Sequence, residues 1–446
     1  MPTLYDLWLQ TLNRHADAVA VRDAATGEQW TFSALHEEVA MLPPLTPRQV
    51  HVATVRGVGG ARQLVLECLR AWRDDAVLCP VELDTPPLLA EAASQRVCFP
   101  PEICHIKFTS GSTGQPRGVL FRGDQLAADG ENIRQTMGLD VSCPNLAVIS
   151  LAHSYGFSNL ILPLLLQGHP MVLVPDPMPS SKRQAHALGI RYTVPAVPAM
   201  WRAWHQAGLL KDAPIALAIS AGAPLPLQLE EEVFAQAGIK IHNFYGSSEC
   251  GGIAYDASPE PRSDASYAGQ AMHGAGLTLG EDGCLCVHSP AVGEGYWPAE
   301  TEDRATLGGG KFRTCDVVDL NVETGGVTMR GRLSDTINVA GRKLNPAEVE
   351  AALLTCDGVR HCVVFGVPSA DEVRCEETVA CVNVDASAGV RQEDLVRWMG
   401  ERLPGWQRPR RYWLRQDLVP NARGKLSRAE WKGKFLETGW AGLLKD

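Results

Sequence analysis

The chain has 446 residues, 45% of them hydrophobic and 21% charged, with 42 glycines and 30 prolines, the balance of a folded protein of about three domain-sized units. That balance excludes a disordered tail, a coiled coil and a collagen-like chain. The formal net charge of −10 excludes a dedicated nucleic-acid binder, whose surface has to neutralise phosphates. The 13 cysteines are scattered singly, with no C-x-x-C pair, a pattern of reduced thiols rather than of a disulfide framework or metal site. Residues 1–10 carry Asp6 and no basic stretch leading into an apolar run, so no secretory leader is expected. The best apolar run, 160–166, is far too short to span a bilayer. A cytoplasmic protein without a membrane span is the expectation.

In chain order, 105–108 reads as a short apolar strand, and 145–151, 170–174, 191–194, Ile215–Ser220 and 239–244 read as buried strands. Leu227–Ala237 has apolar residues at helical spacing with charge on one face, and Gly238 closes it as a C-terminal cap. Strands alternating with helices in this way predict parallel sheets flanked by helices. A second pattern follows Gly331: a helix over Pro346–Leu354 opened by proline, strands over 361–367 and 378–384, and a helix over 392–403. The fold class is therefore α/β. It has a large N-terminal domain, 1–331, of helix-flanked, mostly parallel sheets and a small α+β C-terminal domain, 336–446, joined through 332–335.

Five short blocks carry the chemistry. Phe108-Thr109-Ser110-Gly111-Ser112-Thr113-Gly114-Gln115-Pro116-Arg117-Gly118 follows the first strand with three glycines interleaved with four hydroxyls. Glycines admit close approach of backbone to an anion, and hydroxyls with main-chain N–H groups wrap phosphate oxygens. Neither the P-loop spacing nor a G-x-S-x-G elbow is present. Asn243-Phe244-Tyr245-Gly246-Ser247-Ser248-Glu249 brings a carboxylate to a strand end, a place suited to Mg²⁺ beside phosphates. Taken alone, Glu249 reads better as a solvated side chain. The remaining blocks are Phe312-Arg313-Thr314-Cys315-Asp316, then Gly331-Arg332-Leu333-Ser334-Asp335 with Val339-Ala340-Gly341-Arg342-Lys343, and Pro420-Asn421-Ala422-Arg423-Gly424-Lys425-Leu426-Ser427-Arg428.

In their order and wording these blocks, with Leu151-Ala152-His153-Ser154-Tyr155-Gly156, resemble the adenylate-forming ligase superfamily of acyl- and aryl-CoA synthetases, nonribosomal adenylation domains and beetle luciferase. The resemblance runs from about residue 105 to residue 428. It implies that Thr109, Ser110, Gly111, Ser112, Thr113 and Gly114 cradle the β- and γ-phosphates of ATP, aided by Arg117 where the family has lysine. Tyr245 and Gly246 would border the nucleotide, Ser248 would contact the α-phosphate and Glu249 would ligate Mg²⁺. Asp316 would accept both ribose hydroxyls, supported by Arg332, with Cys315 standing where glycine is usual. Lys425 would stabilise charge developing at the α-phosphorus.

The same resemblance makes His153 a gate between acid pocket and thiol tunnel, Ser334 the hinge of a mobile C-terminal domain, and Gly341 the wall of the thiol tunnel. His153, Tyr155, Phe157, Ala221, Gly222 and Tyr245, with Ala223, would line a flat apolar acid pocket. Relatives that activate amino acids often carry Asp where this chain has Ser154, so an α-ammonium would be left unpaired. Only 107 residues precede Phe108, implying a trimmed N-terminal lobe. The implied activity is ATP-dependent ligation of a carboxylic acid, aryl or medium acyl, through an adenylate to the pantetheine thiol of CoA or an acyl carrier protein. The basic stretch Arg408, Arg410, Arg411 and Arg415 reads either as a solvated face or as a surface for that thiol donor. A ligase with a non-thiol acceptor and a non-catalytic nucleotide-binding relative stay open beside this reading.

Overall fold

The structure, a computed structural model, describes residues 2–55, 60–82, 99–109, 117–298, 306–340, 342–369, 376–420 and 426–439. The chain forms two compact units. The larger comprises Met1–Gly280, Cys286–Thr314 and Leu320–Thr328; the smaller takes Met329–Asp446 together with Glu281–Leu285 and Cys315–Asp319.

In the larger unit, six strands pair in parallel: Val19–Asp23, Met171–Leu173, Asn145–Ala147, Tyr192–Ala196, Ile215–Ser220 and Ile241–Ser247. Their apolar side chains are buried on both faces, among them Leu146, Val172, Val194, Ile219 and Ile241, as a parallel sheet covered by helices requires. Between them run helices such as Pro198–Gln206 and Leu227–Ala237. Gly238, with φ of 66°, ends the latter by donating its N–H to Phe234 O at 2.9 Å. The parallel run stops at Ile241–Ser247. The next strands, Gly251–Tyr255 and Tyr267–Ala271, pair antiparallel, an extension that the alternating pattern does not predict.

A buried four-charge network closes this side of the unit. Lys240 Nζ donates to Glu230 and, at 2.6 Å, to Asp256, while Arg262 Nε donates to Glu230 at 2.8 Å. Two cations and two carboxylates balance, so none is left as an uncompensated buried charge, whose cost is about 3–5 kcal/mol.

A second sheet of the larger unit joins Val50–Val55, Val77–Glu82, Ile103–Thr109, Arg117–Arg122 and Gly295–Trp297. The first three run parallel, and the last two add antiparallel. Thr109 faces Arg117 across the ladder, so residues 110–116 connect a β-hairpin. A strand, not a helix, follows the serine–glycine segment, in keeping with the missing P-loop spacing. Gly118 is required there, because a Cβ would fall 2.8 Å from Ile106 Cγ2.

In the smaller unit Val359–Pro368 and Glu376–Val384 pair antiparallel, and Arg411–Leu414 joins in parallel. Helices Pro346–Leu354 and Gln392–Arg402 bury Val349, Leu353, Leu395 and Met399 in one core with Val364, Ala380 and Val382. The mixed α/β class is as read from the sequence. Two of the predicted strands are shorter than expected. The run 145–151 is strand only to Ala147, because Val148 N turns back to Leu146 O at 3.1 Å, and a buried apolar run does not show by periodicity where it stops being a strand.

Candidate active site

The C-terminal ends of two parallel strands lie side by side, with Ser220 opposite Ala196, and Asn243 of the longer strand Ile241–Ser247 stands on the other side of Ser220. In open parallel sheets ligands bind at that edge. Tyr155, from the short helix Ser154–Gly156, reaches it with its hydroxyl donating to Ala196 O at 3.4 Å. Its ring is tilted against Phe244 at 5.8 Å. Ala221, Ile219, Met272 and Tyr255 pack in the same cluster, and burial raises the Tyr155 phenol well above its ordinary value, keeping it a neutral donor. Gly222 follows with φ of 84°, bending the chain away from the strand end. Tyr245 pairs with Ala254 in the ladder one place after Phe244, and so projects from the other face.

Phe157 is placed apart from this cluster. It is fully buried in the π-helical turn Phe157–Ile161, with its ring 4.3 Å from that of His105. His153 caps the preceding turn and is partly exposed; its Nε2 lies 3.8 Å from Glu82 Oε1, at the end of Val77–Glu82. Glu82 is a carboxylate beside His153, the residue expected as a gate, that sequence reasoning missed.

Glu249 sits in the turn after Ile241–Ser247, its N–H directed to Ser247 Oγ at 3.3 Å. Gly246 lies opposite Gly252, and a Cβ on it would come 2.7 Å from Gly251 O, so the two arms of the turn meet backbone to backbone. Glu249 Oε1 accepts the Tyr296 hydroxyl at 3.1 Å. The Arg117 guanidinium lies over the Tyr296 ring at 4.4 Å and donates to Pro298 O at 3.1 Å. Arg117 and Glu249 are thereby brought together through Tyr296. Sequence reasoning missed Tyr296; the signal was the block Gly293-Glu294-Gly295-Tyr296-Trp297-Pro298, an aromatic pair set between glycines and proline.

The donor set fits Mg²⁺. Among the described residues no three His, Cys, Asp or Glu side chains gather into a metal cage; Mg²⁺ with nucleotides is held by one or two carboxylates and the phosphates themselves.

In the smaller unit, Asp316 occupies a buried position of the alternating strand Lys311–Asn321 and accepts Arg332 Nε at 2.8 Å. Cys315 points outward and is exposed, so replacing a glycine there crowds nothing. Arg428 donates to Val364 O at 2.6 Å, to Glu350 at 2.7 Å and to Asp335. It therefore anchors the chain three residues after Lys425 to the segment three residues after Arg332. Burial raises the Glu350 carboxyl above its ordinary value, with Arg428 opposing.

Three of the four arginines of the basic stretch are engaged internally: Arg408 donates to Leu403 O and Gly400 O, Arg411 to Glu377 and Arg415 to Asp417. Ser110, Gly111, Ser112, Thr113, Gly114, Gly341 and Lys425 lie outside the described residues, and Thr109 and Ser334 are described by backbone position alone.

The sequence profile described as AMP-binding enzyme matches residues 60–297, and that of the AMP-binding enzyme C-terminal domain matches 348–425. The chain belongs to the AMP-binding enzyme family. Curated relatives of this AMP-binding enzyme include the feruloyl-CoA synthase of Amycolatopsis sp, 27% identical over 354 residues, which cover 75% of this chain and 70% of the relative. The anthranilate–CoA ligase of Pseudomonas aeruginosa is 28% identical over 389 residues, 80% of this chain and 70% of the relative. Among solved structures, ATP-bound MatB from Rhodopseudomonas palustris superposes with a TM-score of 0.84 at 18% identity, over 97% of this chain and 99% of that one. The anthranilate CoA ligase AuaEII in complex with anthranoyl-AMP gives 0.82 at 18% identity, over 97% of each chain. Those two share the fold. No helix among the described residues is long and apolar enough to cross a membrane.

Proposed function

We propose that this AMP-binding enzyme is an ATP-dependent acid–thiol ligase, acting on an aryl or medium acyl acid in the cytoplasm. The observation that carries the reading is the placement of Glu249, Tyr296 and Arg117 together beside the hairpin that residues 110–116 connect. Curated relatives named as CoA ligases support it.

In the first half-reaction a carboxylate oxygen of the acid attacks the α-phosphorus of ATP. The bond from that phosphorus to the bridging oxygen breaks, and pyrophosphate leaves with its electron pair. Thr109, Ser110, Gly111, Ser112, Thr113 and Gly114 hold the β- and γ-phosphates, with Arg117 as the cation. Glu249 would hold Mg²⁺, which neutralises phosphate charge when bound. Ser248 meets the α-phosphate, Asp316 and Arg332 the ribose, and Lys425 stabilises charge on the equatorial oxygens.

In the second half-reaction a pantetheine sulfur attacks the acyl carbon. AMP departs with the carbon–oxygen electrons, and the thiol proton passes to solvent. The C-terminal domain 336–446 rotates at Ser334 against 1–331, withdrawing Lys425 and presenting Gly341, past which the thiol arm runs. The acid lies against Tyr155, Ala221 and Gly222, with His153 at the gate and Tyr245 on the opposite face of its strand. The mixed anhydride needs proximity more than activation of the thiol, so no general base is assigned.

Pyrophosphate release measured across aryl, fatty and amino acids, with and without CoA, tests this reading. Release with aryl or acyl acids and a CoA thioester as product is the expected result. No release with any acid would overturn it, and release with no thioester would favour a non-thiol acceptor.

A further inference from the structure

Lysine is scarce in this chain, only ten of its 41 basic residues, yet Lys107 is spent in the interior, 2% exposed, on the strand Ile103–Thr109. Its ammonium donates to Ser158 Oγ at 3.1 Å and to Asp129 Oδ2 at 3.3 Å. Ser158 donates in turn to the same Asp129 oxygen at 2.5 Å, and the rings of Phe121 and Phe157 lie 4.7 and 5.9 Å from the ammonium. The other oxygen, Asp129 Oδ1, accepts the Gly252 N–H at 3.4 Å. Gly251 beside it has φ of 70°, and a Cβ there would fall 2.0 Å from Asp129 Oδ1. The backbone thus rests directly on this carboxylate.

One buried carboxylate therefore joins four segments. They are its own helix Gly123–Met137, the strand that enters 110–116, the π-helical turn four residues past His153, and the turn two residues past Glu249. A buried ion pair is a poor device for stability, because apolar groups of the same volume serve as well. Its hydrogen-bond directions do fix geometry, and the three segments it ties to its own helix carry or adjoin Thr109, His153 and Glu249 of the proposed site.

We propose that Asp129 is a positioning residue for adenylation. With Lys107 and Ser158 it sets the register of the hairpin strand, the His153 segment and the Glu249 turn relative to one another. It acts through backbone and does not touch substrate. The proposal rests on the ligase reading above.

The test is steady-state pyrophosphate release with ATP and acid varied separately, in wild type, Ser158→Ala and Asp129→Asn, with near-UV circular dichroism to report the folded fraction. Small displacements of reacting groups are costly, so Asp129→Asn should raise the KM values for both ATP and acid by ~10-fold and lower kcat. Ser158→Ala removes both bonds of the His153 segment, to Asp129 and to Lys107, while the Lys107–Asp129 pair and the Gly252 contact remain. It should raise the acid KM ~5-fold while the ATP KM stays within about twofold. A merely structural role would lower the concentration of active enzyme, and hence the apparent kcat, with both KM values unmoved. That result in an active wild-type background overturns the positioning role and leaves the ligase reading standing. If Asp129→Asn does not fold, the acid KM of Ser158→Ala decides alone. A wild type that releases no pyrophosphate removes the ligase reading and this role with it.

Discussion

The Tyr296 hydroxyl lies 3.1 Å from Glu249 Oε1, and its ring carries the Arg117 guanidinium at 4.4 Å. One phenol therefore orients the carboxylate proposed for Mg²⁺ and the cation proposed for pyrophosphate. Tyr296→Phe keeps the ring under Arg117 and deletes only the hydrogen bond. Partners that orient a metal-binding carboxylate typically matter ~10-fold in metal affinity. The Mg²⁺ concentration for half-maximal pyrophosphate release should rise by about that factor, with kcat at saturating Mg²⁺ close to wild type. An unchanged Mg²⁺ dependence would separate Tyr296 from the metal.

Arg428 ties the segment after Lys425 to Asp335, Glu350 and Val364 O. Arg428→Met should reduce adenylation ~10-fold by loosening the chain that carries Lys425. Its stability effect has a sign. Burial already raises the Glu350 carboxyl, so the ionised form is disfavoured in the folded state, and without Arg428 the Val364 N–H at 2.8 Å is left to oppose that rise. The loss in melting temperature should be smaller toward acid pH, where the carboxyl protonates, and larger at pH 8, where it must ionise without its guanidinium partner. An equal loss in acid and at pH 8 would contradict the pairing.

Lys182 is fully buried in Pro179–Ala187, its ammonium 4.4 Å from the Trp204 ring and 5.4 Å from the Tyr192 ring, with no hydrogen-bond partner among the described residues. Burial lowers it to about 7 from an ordinary 10.5. Folding is then penalised progressively as pH falls from 10.5 to 7, and fully below 7, at about 1.4 kcal/mol for each tenfold change in proton affinity. Lys182→Met should raise the melting temperature by several degrees at pH 7 and by less at pH 9.5. A variant that melts lower at pH 7 would mean that the contact with Trp204 outweighs desolvation.

The regular elements were legible where one physical signal sufficed. Leu227–Ala237 with its Gly238 cap and Pro346–Leu354 with proline at its start occur with the predicted bounds. The antiparallel strands past Ile241–Ser247 were not, because buried apolar runs do not announce strand direction. In the site, Glu249, Asp316 and Arg332 stood in blocks with recognisable wording. Tyr296, Glu82 and Asp129 act from distant segments, at 47, 71 and 123 positions from the residues they meet, and only folding brings such partners together.

The proposed substrate class rests on the pocket chemistry. Ser154 offers no carboxylate, and Glu82 faces His153 at 3.8 Å. An α-ammonium would compete with that imidazole for its partner. Proteinogenic amino acids should support little ATP–pyrophosphate exchange beside benzoate-like or medium acyl acids. Robust exchange that disappears in Glu82→Gln would instead identify Glu82 as an ammonium partner.

The division of labour between two half-reactions is decided by Lys425→Ala. In the proposed mechanism the ammonium acts on charge that develops only in the adenylation transition state. First-turnover pyrophosphate release should fall by roughly 10²-fold or more, while thioester formation from supplied acyl adenylate and CoA stays near wild type. An equal fall in both steps would show that Lys425 serves no separate adenylation step, and would remove the basis for a ligase that alternates between two arrangements.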